Sequence, residues 1–466
     1  MERLSGFDAS FLYVESSDTP MHVCSLLELD TSTMPGGYTF DRLREALLQR
    51  IDALPEFREK VVDTVLNPDH PAWAEDDRFD IDRHLHRVAV PVPGGPREVA
   101  ELCGQLASAP LDRGLPLWQM WVIEGLDGTD PRRGGRVAVL SKIHHAVIDG
   151  VSSAGLMSRL CSLAPDSQVP EPLSGAGEVS TLRLALGGAV NVATRPLQLA
   201  GLLSRTVWTA VDILRRMRAG RTMAAPFAAP ATPFNAAVSG RRAVGFAELD
   251  LADVKSIAKR FTVTVNDVVL TLCSEVLRQY LIERDALPSA SLIAAVPVSV
   301  HDRVRESGRN QTSVLFTRLE TQLADPGERL RAVALDDSTA KEHSSSMDAT
   351  LVMDWTRLMN HLVAAPMMYL YAHSPLSERP IHNLVISNVR GPTAPLYFLG
   401  SAITAMYPLG PIFHGAGLNI TVLSHDTKLD VGIITCPDLV PDVWAMADGF
   451  SLALKHLLDA EPSAPS

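Results

Sequence analysis

The 466 residues predict an α/β protein of two domains, and three observations carry that expectation. The length exceeds what one hydrophobic core usually serves, because single cores stop growing beyond about 250–300 residues. Segments of helical period alternate with short apolar, partly β-branched runs. A loose middle stretch, rich in Pro, Ser and Gly over Pro165 to Gly177 and loose again over Ala224 to Pro233, separates the two patterned parts. The expected division is 1–164, a helical linker over 165–233, and 234–466.

Taken in order, Phe40 to Leu54 reads as an amphipathic helix with Leu43, Leu47, Ile51 and Leu54 on one face. Arg97 to Ala107 repeats the pattern through Val99, Leu102, Cys103 and Leu106. Pro116 to Leu126 reads as a strand. It is followed by turn signals at Asp127-Gly128 and Gly134-Gly135 and by a second strand over Val137 to Ile143, so a hairpin is expected. Within the linker, Leu182 to Arg218 reads as two helical pieces broken at Pro196. Its stripe of Leu199, Leu203, Val207, Val211 and Leu214, with Arg205, Arg215 and Arg218 nearby, is expected to pack against a domain. The alternative is an interfacial helix that meets lipid. Beyond the linker, Asp250 to Lys259 and Asn266 to Leu281 read as helices. Ser291 to Val300, Ser313 to Leu319, Leu384 to Ile386 and Leu418 to Val422 read as strands.

The second strand of the hairpin ends in His144-His145-Ala146-Val147-Ile148-Asp149-Gly150, and Val151-Ser152-Ser153-Ala154 then reads as a helix opening. Adjacent strand residues face opposite ways, so His145 belongs with Val137, Val139 and Ile143 while His144 points away. A neutral imidazole titrates near pH 6.5 and can take and return a hydroxyl proton. One base is therefore expected, His145, with Asp149 organising the loop. A zinc site is disfavoured, because adjacent strand histidines diverge and the chain has neither His-Glu-x-x-His nor Cys-x-x-Cys. A serine elbow is also disfavoured, since Gly150-Val151-Ser152-Ser153-Ala154 lacks the second glycine.

The motif resembles the HHxxxDG signature of the coenzyme A dependent acyltransferases, which include chloramphenicol acetyltransferases and the condensation domains of peptide synthetases. Further segments narrow the resemblance: Leu4 to Leu12, Pro20-Met21-His22-Val23, Pro116-Leu117-Trp118, Asn266-Asp267 and Ser387 to Pro392. Together they look like the bacterial wax ester synthase/diacylglycerol acyltransferase family. The resemblance implies a two-domain chloramphenicol acetyltransferase-like fold, each domain a mixed β-sheet flanked by helices, with a channel at their interface. It implies transfer of a long-chain acyl group from acyl-coenzyme A, as co-substrate rather than cofactor, to diacylglycerol or a fatty alcohol, without an acyl-enzyme or a metal.

Carried over by position, His145 is the family's catalytic histidine, completed by His144, Asp149 and Gly150. Pro116, Leu117 and Trp118 match an acyl-pocket segment, and equally fit a strand start with a core tryptophan. Asn266, Asp267, Ser387 and Asn388 match segments near the channel, and equally fit a helix cap and a strand-end turn. Asn388 is also a possible oxyanion donor, and Leu362 to Leu370 a possible channel wall that core packing explains as well. Arg390 departs from the family's usual proline and could meet a coenzyme A phosphate. A carrier-protein condensation enzyme and a catalytically silent lipid binder share the motif or fold and remain the rivals.

A formal net charge of -12 gives no general attraction for nucleic acid. Local basic clusters at Arg132-Arg133 with Arg136, at Arg215-Arg216 with Arg218, and at Arg241-Arg242 read as solvated surface or as contacts for phosphate or anionic lipid. The five widely spaced cysteines predict no disulfide framework and fit a cytoplasmic setting. Neither a secretion signal nor an apolar run of about 18 residues is visible, so any membrane contact is expected to be peripheral.

Overall fold

The computed structural model describes residues 2–63, 69–126, 135–147, 160–166, 171, 228–299, 312–346, 351–358, 361–374 and 380–461, with 186–188, 195, 198–199, 201–209, 211 and 215 between them. The N-terminal half runs β1 (Glu2–Arg3), α1 (Gly6–Val14), β2 (His22–Asp30), α2 (Phe40–Ile51), β3 (Glu59–Val62), β4 (Ala72–Glu75), β5 (Leu85–Ala89), α3 (Pro96–Ser108), β6 (Trp118–Glu124), β7 (Arg136–His144) and β8 (Cys161–Ser162). The C-terminal half runs β9 (Ala243–Asp250), α4 (Leu251–Phe261), α5 (Val265–Ile282), β10 (Ile293–Ser299), β11 (Thr312–Arg318), α6 (Pro326–Ser346), α7 (Leu351–Leu358) and α8 (His361–Ala372). It closes with β12 (Leu384–Arg390), β13 (Tyr397–Phe398), β14 (Ser401–Leu409), β15 (Leu418–His425), β16 (Lys428–Thr435) and α9 (Val443–Asp459).

Local chemistry sets many helix starts. Ser5, Thr39, Asp250, Thr264 and Asp442 each accept an orphan amide of the first turn of α1, α2, α4, α5 and α9. Pro96 opens α3, where its missing N–H is not needed.

Two mixed sheets form the molecule, ordered β5-β6-β7-β2-β14-β13-β8 and β11-β10-β12-β15-β16-β9, beside a small β1-β4-β3 sheet. The division at 234 is crossed, because β13 and β14 of the C-terminal half complete the first sheet, with β14 antiparallel to β2. The second edge of β14 pairs with β13 at Ser401 and Ala402, and beyond them it is covered by β16. Lys428 Nζ donates to Thr404 O (3.1 Å), Met406 N donates to Asp430 Oδ2 (2.7 Å), and Pro408 O faces Gly432. The part of the edge that β13 leaves unpaired is thereby closed.

The second sheet turns one face to its helices. Leu384, Ile386, Leu418, Ile420, Val422, Leu429, Val431 and Ile433 join α4, α5 and α9 in one core. The first sheet splits its residues by alternation, as the period of two requires. Val137, Val139 and Ile143 enter the core shared with α1, α2 and Trp118, whereas Ala138 and Leu140 enter the core shared with α3 and β9. All five cysteines are free and buried.

Three expectations are corrected. Of the expected stripe, Leu199, Leu203 and Val207 are exposed, as is Trp208 (70%), Val211 is half-buried and Leu214 lies outside the described residues, while Leu202 is the buried position of the 201–209 helix. Arg205 pairs with Asp354, and the Trp355 indole donates to Thr206 Oγ1, so α7 is held by the polar side of this helix. Leu362 to Leu370 falls in α8, where Ala364 enters the core shared with α1 while Met367, Tyr369 (64%) and Leu370 (68%) are exposed. Arg242 is not a surface cation either. It is buried and donates to the carbonyls of Asp18 and Ser239. Among the described residues no helix is long and apolar enough to cross a membrane.

Candidate active site

β7 ends at His144, and β2 lies antiparallel beside it with His22 opposite His144. The chain turns immediately, with His144 N donating to Leu117 O (3.0 Å), His145 N to Met21 O (2.8 Å) and Val147 N to His144 O (2.9 Å). His144 is fully buried. Its Nδ1 accepts the Ala146 amide (3.0 Å), so the neutral ring carries its proton on Nε2, and that atom lies 3.4 Å from Glu15 Oε1. Nδ1 is thus engaged, while the buried Nε2 faces the Glu15 carboxylate without a hydrogen-bond partner among the described residues.

His145 is placed differently. It is partly exposed, and its ring stacks on Phe11 of α1 at 4.1 Å and 13°. Phe11 packs on the same core as Val137, Val139 and Ile143, so the expected alternation holds just past the strand end. Of the two histidines, His145 is the one with access to solvent.

Glu15 follows the end of α1 and gathers the loop. Its Oε1 accepts the Met21 amide (3.1 Å) and lies 3.3 Å from His22 Nε2, while its Oε2 receives the Arg113 fork at 3.1 and 2.7 Å. Burial alone would raise this carboxyl, but interaction with His144 and His22 and the Arg113 hydrogen bonds outweigh it and hold the group well below the usual carboxylate range. Burial pulls the His22 imidazolium down to about 4 against the opposing pull of Glu15, so His22 is neutral at neutral pH. Lys142 caps α3 through the carbonyls of Leu106 and Ala109, and burial pulls it down to about 8.

The remaining sequence candidates separate. Asp149 and Gly150, and the helix opening at Val151 to Ala154, lie outside the described residues, as do Arg132 and Arg133. Pro116, Leu117 and Trp118 are buried. Trp118 stacks on His84 at 4.5 Å and donates its indole N–H to Phe57 O (2.8 Å), so this segment is a core strand start that also holds the His144 amide. Asp267 completes a capping box with Thr264.

Asn388 Nδ2 donates to Asn266 Oδ1 (3.2 Å), tying β12 to α5 on the helix face of the second sheet. Ser387 alternates to the opposite face, shared by Leu423, which packs on the core containing Ala146 and Val147. Arg390 is exposed at the end of β12, beside Gly391, where a Cβ would lie 2.2 Å from Ser424 O.

Sequence reasoning missed Glu15, Arg113 and the role of Phe11. Phe11 and His22 lie in segments already singled out at Leu4 to Leu12 and Pro20 to Val23, and a carboxylate midway between those segments was the available signal.

Residues 4–269 match the model of the wax ester synthase/diacylglycerol acyltransferase catalytic domain, and residues 309–458 match the model of the C-terminal domain of that family. A putative diacylglycerol O-acyltransferase of Mycobacterium tuberculosis strain H37Rv is 50% identical over 465 residues, covering 100% of this chain and 92% of that protein. A wax ester synthase/diacylglycerol acyltransferase from Marinobacter aquaeolei VT8 has a similar structure, with a TM-score of 0.71 at 27% identity over 98% of each chain. The first condensation domain of the calcium-dependent antibiotic synthetase shares the fold, with a TM-score of 0.57 at 17% identity, covering 100% of this chain and 98% of that one.

Proposed function

Since the chain belongs to the wax ester synthase/diacylglycerol acyltransferase family and is an acyltransferase, we propose that it moves a long-chain acyl group from acyl-coenzyme A to the hydroxyl of diacylglycerol, and also to fatty alcohols, with His145 as general base. The observation that carries this reading is the division of labour in the doublet. His144 is closed off by Ala146 and Glu15, whereas His145 is partly exposed with its ring plane set by Phe11.

His145 takes the hydroxyl proton as the oxygen attacks the thioester carbonyl. The tetrahedral intermediate then expels coenzyme A as thiolate, which recovers the proton from the imidazolium. The thioester supplies its own leaving group, so the reaction calls for no cofactor or metal. Arg390 is assigned to a coenzyme A phosphate, and the exposed apolar side chains of the 201–209 helix and α8 to peripheral contact with lipid, which vesicle flotation checks.

The test of the mechanism is His145→Ala. Turnover is expected to fall roughly a hundred- to ten-thousandfold with an unchanged circular dichroism spectrum. Near-normal turnover would sink the base assignment. One labelled acyl-coenzyme A against a panel of acceptors tests the substrate assignment separately.

A further inference from the structure

We propose that Glu15 is the positioning residue of the reaction, holding the backbone of His145 and facing the ring of His144 by the placement of its Oε1 rather than by its charge. The inference rests on the assignment of His145 as base and deepens it. Two routes run from one oxygen. Through the backbone, Glu15 Oε1 accepts the Met21 amide (3.1 Å), and the Met21 carbonyl accepts the His145 amide (2.8 Å). Through the side chains, the same oxygen lies 3.4 Å from His144 Nε2, the nitrogen that must carry the proton because Nδ1 already accepts from Ala146. His144 is fully buried and its Nε2 has no hydrogen-bond partner among the described residues, so the Glu15 carboxylate facing it is what offsets its burial, and removing that carboxylate favours rotation of the ring.

The second carboxylate oxygen is anchored by Arg113, whose Nη2 also donates to Leu12 O (2.8 Å) in α1. The same helix carries Phe11, on which the His145 ring stacks. Glu15 therefore links the backbone of the base, the ring beside it and the helix under it. Misplacement of a reacting group by about 1 Å can cost about a hundredfold in rate, so a residue that touches no substrate can act at this scale.

The experiment compares the full-length wild type with Glu15→Gln, Glu15→Asp and Glu15→Ala. The probes are palmitoyl-coenzyme A with dioleoylglycerol and with hexadecanol. Gln keeps the Oε1 acceptor toward Met21 and His144 but loses the charge and the acceptor for Arg113, whereas Asp keeps the charge and withdraws it by one methylene. Expected is a kcat for Gln within about fivefold of wild type, and for Asp and Ala a loss of about thirty- to hundredfold with both KM values changed less than about threefold. In 15N-histidine-labelled protein, a slowly exchanging Hε2 proton of His144, assigned by its loss in His144→Gln, should persist in the Gln variant and vanish in Asp. An Asp variant as fast as Gln or faster, a change confined to KM, or an Hε2 signal indifferent to position 15 would each overturn the proposal. If Glu15→Ala does not fold, the Gln and Asp pair still decides. His145→Ala run in parallel separates the two readings, because retained turnover there would remove the base, while the His144 signal still reports on Glu15.

Discussion

Gly432→Ala is the perturbation that tests whether the far half of the chain sets the histidine site. A Cβ at position 432 of β16 would lie 1.9 Å from Pro408 O of β14, where real contacts essentially never fall below 3.0 Å. The clash is between two backbones, so no flexible side chain can yield, and the strands must part by about 1 Å. Overpacking of this kind costs about 1–3 kcal/mol, and a backbone partner places it at the upper end. For a cooperative unit of about 230 residues, about 3 kcal/mol corresponds to a fall of about 6 °C in Tm. The displaced strand pairs Pro408 with Ser25 and Leu409 with Cys24 of β2, and β2 in turn pairs His22 with His144. A shift of β14 therefore arrives at the doublet, and kcat is expected to fall about tenfold or more. Differential scanning calorimetry and steady-state kinetics read the two effects. A Tm within about 2 °C of wild type, or a Tm drop with unchanged kcat, would refute the transmission from β16 to β7.

Three further outcomes are expected. Asp267→Ala should cost about 1 kcal/mol in urea unfolding by removing half of the capping box, with both KM values unchanged, and a raised KM at unchanged stability would return Asp267 to the channel. Burial pushes Asp430 up to about 7, so the folded protein holds this proton where the unfolded chain has lost it. Its stabilising contribution is complete below about pH 4 and disappears as pH rises through about 7. Asp430→Asn should therefore match wild type near pH 4 and exceed its Tm at pH 8, whereas parallel Tm curves would contradict the burial argument. Arg390→Pro should raise the KM for acyl-coenzyme A more than that for the acceptor, and a change confined to the acceptor would count against the phosphate contact.

Much of this architecture was legible because it is local. Helices α2 to α5 follow the apolar period and their caps, and the hairpin of β6 and β7 follows from two apolar runs around glycine turns. What escaped is what distance in sequence hides. β14 contains Pro408, which demotes a run as a strand, and its partner β2 lies hundreds of residues away. Pro408 is tolerated because that edge of β14 needs only side-chain partners from β16. Periodicity showed that Leu199, Leu203 and Val207 share a face. It carried no information on whether that face meets protein or solvent, and the structure exposes it. The crossing of β13 and β14 into the first sheet escaped for the same reason, since composition marks a linker but not which sheet a later strand joins.

The doublet itself shows why two adjacent histidines follow one strand. The base proposed at this strand end needs a fixed backbone and an open ring, and these demands conflict in a single residue. Here they are divided between neighbours. His144 faces inward to Glu15 and Ala146 and is buried with its tautomer set, while alternation turns His145 to the side where Phe11 supports its ring and solvent reaches it. The buried carboxylate that makes this arrangement possible is in turn held by Arg113 from the loop before β6 and by the Met21 amide from the start of β2. The reactive position is therefore built by α1, β2, β6 and β7 together, with β14 closing the sheet on the far side of β2. A motif of seven residues names the site, and contacts spread over the chain give it its geometry.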